Sequence, residues 1–389
     1  MKAIYWLRSD LRTHQNEALN EFLSRGEDEI IFVLPETKSF KRAGLFRKKI
    51  INECFENFKN DINFLKCQII QTSELFSEFL SSYCKDQQLT SVYFTREYAW
   101  EERQEELLVE KICGENGIKT YSYDQGTLIA QDDLPFSIEN MPFIFTDFRK
   151  AVESDLKVRK TVCGPLKEKC NKGLERLFFY LWESRAIDSY KETRNGMIHF
   201  NDSTKLSPWI NSGVLSVRMI YHELKKYEEK YGANESTYWL VFELLWRDYM
   251  KFFSLKYGHQ IFLKQGLRKG NSPNQDDLDK FELWSKGKTE NAFINANMNE
   301  LNQTGWMSNR GRQNVASYLV HDLGVNWTWG ASYFEEKLID YDPDLNWGNW
   351  LYLSGRGSDP RARKFNPLTQ AKTYDPEGYY QKMWNTLPE

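Results

Sequence analysis

The chain has 389 residues, a formal net charge of −3 at pH 7 and 41% hydrophobic residues, enough for two domains with sizeable cores. Its longest apolar run, Ile30 to Pro35, suits one buried strand rather than a membrane span, and no basic-then-apolar leader opens the chain, so a cytoplasmic protein without membrane contact is expected. The six cysteines lack a CxxC pair and the five histidines lack metal spacing, which leaves metal chemistry without a ligand set; the slight acidity excludes nothing about nucleic acid, because phosphate contacts are local.

Along the chain, Ala3–Leu7, Glu29–Leu34, Gln68–Thr72, Ser91–Thr95 and Lys119–Tyr123 have strand length and composition. Between them, Gly44–Phe58, Ser73–Cys84 and Ala99–Cys113 repeat apolar residues at helical spacing. The alternation predicts an α/β domain over residues 1–126, a doubly wound parallel sheet without the GxGxxG dinucleotide fingerprint. Residues 127–174 read as a linker, punctuated by Asp132-Asp133-Leu134-Pro135, Met141-Pro142 and Gly164-Pro165, with one helical piece near Phe143–Asp155. Over residues 175–389 strand signals vanish. Helical patterns such as Thr237–Lys256, Arg310–Leu323 and Ala331–Ile339 predict an all-α domain. Eleven of the thirteen tryptophans lie from residue 182 onward, as core packing or as a site that uses indoles.

Three stretches of the helical half carry chemistry. Ser203-Thr204-Lys205-Leu206-Ser207-Pro208 is a hydroxyl-rich helix start, either an ordinary cap or an anion site suited to a pyrophosphate. Glu243, Trp246 and Arg247 share a helix face, as an ion pair beside a core indole or as a pocket for a flat ligand. Asn309, Arg312, Gln313 and Ala316 form a mostly polar stripe at helical spacing. Asp340-Tyr341-Asp342-Pro343-Asp344-Leu345-Asn346-Trp347-Gly348-Asn349-Trp350 packs three acids, two amides and two indoles into one segment that resembles neither core nor plain loop.

The stretches YKETRNG, STKLSPW, ELLWRDY, TGWMSNRGRQNVASYL and LIDYDPDLNWGNWLYLSG, in this order and spacing, resemble the photolyase/cryptochrome family. DDLPF…FTDFRKAVES and MSNRGRQNVAS are similar to its DASH cryptochrome branch. The resemblance runs over nearly the whole chain and implies an antenna domain, a linker and a helical domain holding FAD. It implies a light-driven lyase that splits cyclobutane pyrimidine dimers, acting on single-stranded DNA as a monomer. By motif, Tyr190 and Ser203, Thr204, Lys205, Leu206 and Ser207 would hold the phosphate and adenosine side of FAD. Arg312 would pair with Asp340 beside the isoalloxazine, with Asp342 near its ribityl junction and Asn346 at N5. Glu243 and Trp246 would form the dimer pocket, with Tyr352 as the other wall and Asn309 between flavin and dimer. Arg194, Arg310, Arg363 and Gln370 match DNA-contacting positions, and Arg356, Arg361, Arg363 and Lys364 make the segment locally basic.

Trp350 and Trp327 match the inner members of the family's electron-transfer chain, whose outer position is Asn274 here. Asn295 replaces a family aspartate, and Ser308 stands where a (6-4) photolyase carries a histidine acid. Glu101 and Glu102 lie near the family's folate-contacting acid, which raises a methenyltetrahydrofolate antenna. A blue-light receptor with little repair, and a nucleic-acid-binding flavoprotein without photochemistry, are the alternatives.

Overall fold

A computed structural model describes residues 2–84, 88–160, 171–270, 272–359 and 363–386. Five parallel strands, β1 (Lys2–Trp6), β2 (Glu29–Pro35), β3 (Cys67–Thr72), β4 (Leu89–Thr95) and β5 (Lys119–Tyr123), form one sheet in the order β3-β2-β1-β4-β5. The central strands are buried along nearly their whole length, as expected where helices cover both faces of a parallel sheet. Alternate residues feed two separate cores. Tyr5 and Phe32 pack with Phe22, Phe55 and Phe58 on one face, while Ile4, Trp6 and Val33 pack with Phe76 and Phe94 on the other.

The helices between strands run Glu17–Ser24, the short Lys38–Arg42, Leu45–Ile62, Phe76–Tyr83 and Trp100–Glu115. The first was not anticipated from periodicity, although Asn16 caps it by accepting from the Leu19 N–H. A helix at Phe145–Glu153 stands where the helical piece near Phe143–Asp155 was expected, and Gly164-Pro165 lies outside the described residues.

The remainder is helical. Glu235–Tyr257, capped by Asn234, is its central rod, and Pro343–Leu353 packs against it. The pattern expected as one helix over Arg310–Leu323 is instead Asn309–Ser317 followed by a wider turn, in which the Leu323 N–H reaches back five residues to the Tyr318 carbonyl at 3.0 Å. The chain is thus an N-terminal parallel α/β domain followed by a helical domain. No helix among the described residues is long and apolar enough to cross a membrane.

Buried polar contacts join the two parts. The Asp248 carboxylate accepts from the Leu128 and Ile129 N–H groups at 3.0 and 2.8 Å. Arg12, in the loop after β1, donates to the Gly213 carbonyl at 2.9 Å. Gly213 has φ +75°, and a Cβ there would stand 2.0 Å from the Ser9 carbonyl oxygen, so only glycine allows this approach.

Candidate functional site

A cavity of about 530 Å³ opens within the helical domain. Its walls come from the Ser203–Ser207 loop, the Glu235–Tyr257 helix, the Asn309–Ser317 helix and the Asp340–Leu353 segment. Tyr190, Asn309, Gln313 and Ala316 line it, so the polar stripe expected on the Asn309 helix faces this space, with Asn309 at its exposed end.

The loop begins a short helix at Ser207–Asn211, but its hydroxyls do not cap that helix. Ser207 Oγ donates instead to Asp340 Oδ2 at 2.6 Å. Arg176, missed in the sequence, fixes the loop backbone by donating to the Thr204 and Ser203 carbonyls at 2.8 and 3.0 Å. Lys205 takes φ +56°, and its ammonium sits 4.3 Å from the Trp306 ring centroid. The loop therefore presents Ser203, Thr204, Lys205 and Leu206 to the cavity on a backbone anchored from behind.

Across from it, one terminal nitrogen of Arg312 donates to both oxygens of Asp340 at 2.9 and 3.0 Å. Asp340 is nearly buried, and Asn211 donates to its backbone carbonyl at 2.5 Å. A fixed cation thus stands at the wall with its counter-charge held from three sides. Behind Asp342, Lys251 reaches Asp342 and Asp344 at 3.0 Å each, in a triad whose side chains are 4%, 7% and 1% exposed. Burial alone would raise both carboxyls. Lys251 overrides it at Asp342, which is held below the usual carboxylate range, whereas Asp344 is pushed up to about 6 by burial and by the charge of Asp342. Sequence reading missed Lys251, whose one signal is a lysine among buried apolar residues of a long helix.

Asn346 has the most informative geometry. Its Nδ2 donates to the Ala331 carbonyl at 2.9 Å, which fixes the amide orientation. Its Oδ1 is buried at the cavity wall without a partner among the described residues. An acceptor held in this way asks for an N–H from an occupant. Arg194 Nε, Arg310 Nε and Trp306 Nε1, on residues that also line the cavity, are likewise buried without hydrogen-bond partners among the described residues.

On the Glu235–Tyr257 helix, Trp246 meets Tyr352 at 5.3 Å and 85°, giving two aromatic walls at a right angle. The Trp246 Nε1–H donates to Asn349 Oδ1 at 3.2 Å. Glu243 has its carboxyl raised by burial, with Arg194 opposing from 3.9 Å. Arg363 donates to the Tyr352 hydroxyl at 2.7 Å and pairs with Asp359, and Arg310 donates to Gln313 and Asn195. Ser308 lines the cavity, but its Oγ accepts the Gly311 N–H at 3.0 Å and serves as a helix cap. Asn195, Trp239 and Trp306 also line the cavity without having been given a role in the sequence.

Trp350 lines the cavity, whereas Trp327 and Gln370 lie outside it. Trp327 is fully buried against Trp347 at 5.9 Å, and Gln370 accepts from Asn314 Nδ2 at 3.4 Å. Asn295 is spent on Thr289, accepting from its N–H and hydroxyl at 2.9 and 2.7 Å. Arg361 lies outside the described residues.

A second cavity, of about 400 Å³, sits at the carboxyl ends of the strands, where open α/β sheets commonly hold ligands. Arg8, Arg12 and Arg47 line it, as does Glu102, whose carboxyl burial pushes up to about 8. Glu101 is instead paired with Arg42 at 2.7 Å. Ile210, Asn211, Arg247, Tyr341 and Asp342 line both cavities and form the wall between them.

The sequence matches two family models, "DNA photolyase" over residues 3–167 and "FAD binding domain of DNA photolyase" over residues 239–389. It is 38% identical to a cryptochrome DASH of Synechocystis sp., across 99% of this chain and 87% of that relative. The crystal structure of a Synechocystis sp. cryptochrome superposes with a TM-score of 0.92 at 36% identity, covering 98% of this chain and 88% of the other. An archaeal photolyase from Sulfolobus tokodaii, solved with two FAD molecules, superposes with a TM-score of 0.80 at 25% identity, covering 99% and 90%.

Proposed function

The chain belongs to the DASH cryptochrome branch of the photolyase family and carries its FAD-binding domain, and from that premise we propose that it is a blue-light-driven DNA photolyase splitting cyclobutane pyrimidine dimers in single-stranded DNA. The observation that carries the reading is the pairing, in one cavity, of an oriented Asn346 acceptor with the right-angled Trp246–Tyr352 walls. One suits the ring of a flavin and the other suits bases taken out of a stack.

The residues present fit FAD. The Ser203–Ser207 loop would hold its phosphates, with Tyr190 beside them; Arg312, steadied by Asp340, would balance negative charge on the ring, with Asp342 toward the ribityl side. Bound in reduced form, FAD supplies the light-excited electron that opens the cyclobutane ring and receives it back, with no net redox change. Asn346 offers a neutral acceptor, which neither repels charge nor delivers a proton. Trp246 and Tyr352 replace the stacking that the dimer loses, and Glu243 accepts N–H groups of its bases. Asn309 stands between the two ligands, while Arg194, Arg310, Arg363 and Gln370 steer the phosphate backbone. With its hydroxyl committed to a cap, Ser308 supplies no acid for (6-4) chemistry.

Single strands are favoured because flipping costs less where no partner strand is lost. The deciding experiment gives chemically pre-reduced protein a dimer-containing oligonucleotide under blue light, as single strand and as duplex. Dimer loss in the single strand is expected, and no repair of either form refutes the reading. For an antenna we assign methenyltetrahydrofolate to the Glu102 side of the second cavity. Folate reconstitution that adds no energy transfer to FAD removes that assignment.

A further inference from the structure

If Trp350 is the inner donor that recharges oxidised FAD, as the family resemblance implies, it must be re-supplied with electrons after it gives one up, and its surroundings decide the route. Trp350 is buried, and its indole edge rests on Gly330, where a Cβ would lie 2.2 Å from Cη2. The ring is therefore locked. Among the described residues its ring contacts are Phe334 at 5.1 Å and Trp284 at 6.1 Å. Phenylalanine is too hard to oxidise to relay an electron by hopping, which leaves Trp284.

Trp284 is 0% exposed, with its Nε1–H on the Val315 carbonyl at 2.9 Å. On its other side stands Tyr333 at 5.8 Å, half-buried, whose O–H donates to Asn302 Oδ1 and the Ser285 carbonyl at 2.6 and 3.0 Å. Trp284 thus links the cavity wall to a tyrosine that reaches solvent. The Trp327 direction differs. That indole is also 0% exposed, its Nε1–H is held by the Lys264 carbonyl, and its backbone N–H is accepted by Asn274 Oδ1 at 3.2 Å. Asn274, an amide that cannot be oxidised, occupies the place where an outer ring would continue the line.

We propose that electrons reach Trp350 from solvent through Tyr333 and Trp284. One electron passes from Trp284 to oxidised Trp350, and one from Tyr333 to Trp284, while the Tyr333 phenol releases its proton to water. An external thiol then returns an electron and a proton to Tyr333. Two thiols oxidised in this way join as a disulfide, so each pair balances the two electrons delivered inward.

The test uses the FAD-loaded full chain under steady blue light with 2-mercaptoethanol as reductant. Trp284→Phe is expected to lose most of the photoreduction rate, and Trp284→Tyr, still oxidisable, to recover part of it, with unchanged flavin content in both and both still folded at the assay temperature. Samples frozen under illumination without thiol should show a tyrosyl radical by electron paramagnetic resonance. That signal should vanish in Tyr333→Phe and persist in Trp329→Phe, a half-buried indole on the same helix. Wild-type photoreduction in Trp284→Phe, or a larger loss in Trp327→Phe than in Trp284→Phe, overturns the route. These readings do not depend on repair: pre-reduced wild type that fails to split dimers refutes the function proposed above and leaves the route standing.

Discussion

Replacing Asp340 by alanine removes the one counter-charge that holds Arg312 at the cavity wall. Asp340 accepts from Arg312 at 2.9 and 3.0 Å and from Ser207 at 2.6 Å, and its side chain is 2% exposed against 25% for Arg312. Breaking a fully buried pair by removing one partner costs about 3–5 kcal/mol. Arg312 is partly open to the cavity and can regain some solvation, so about 2–4 kcal/mol is expected here. At about 1.4 kcal/mol per factor of ten, FAD affinity should fall roughly 30- to 700-fold. Asp340→Asn keeps an acceptor for Ser207 and should lose about tenfold. The assay is titration of flavin-free protein with FAD, followed by flavin fluorescence, with thermal unfolding measured in parallel. Asp340→Ala protein that binds FAD as tightly as wild type would show that Arg312 needs no fixed partner, and the placement of the flavin ring would fall with it.

Trp246→Ala should weaken binding of a dimer-containing oligonucleotide by about tenfold or more, since a stacked base is worth about 1–3 kcal/mol, while flavin content stays unchanged; equal affinity in a gel-shift titration moves the dimer elsewhere. Trp350→Phe should abolish photoreduction of oxidised FAD but leave repair by pre-reduced protein, and a photoreduction rate equal to wild type contradicts its role as the inner donor. Lys251→Met leaves two buried carboxylates without a cation and should lower unfolding stability by about 3–5 kcal/mol, read from denaturant midpoints. His14 is buried, with Nε2 unpartnered, and burial together with Arg12 pushes its pKa down to about 4. The unfolded chain therefore binds the extra proton between about pH 4 and 6.5, so this contribution is complete above pH 6.5 and lost as pH falls, by about 3 kcal/mol in full. His14→Asn should flatten that acid limb, and an unchanged slope shows that other groups set it.

Much of this arrangement could be read from the chain. The central strands are short, mostly apolar runs covered on both faces, while the edge strand Lys119–Tyr123, half-buried and alternating aromatic with polar residues, was placed to the residue. The Glu17–Ser24 helix escaped because its signal is the Asn16 cap rather than a long apolar repeat. The polar stripe of Asn309, Arg312 and Gln313 could be read as a face, but which space it faced depended on packing between helices far apart in sequence. Arg176 and Lys251 were out of reach for the same reason. Their partners lie 25 and more residues away, and no local pattern marks them. Ser207 misled in the opposite sense, because a hydroxyl before a proline suggests a cap while here it is taken by Asp340.

Ile210, Asn211, Arg247, Tyr341 and Asp342 form one wall shared by the two cavities. Arg247 donates to the Gly126 carbonyl at 2.6 Å, so it is tethered to the end of the α/β domain while facing the flavin side. An occupant of either space that shifts this wall changes the affinity of the other, and reciprocity requires the same factor in both directions. A substitution in the shared residues therefore changes the lining of both rooms at once.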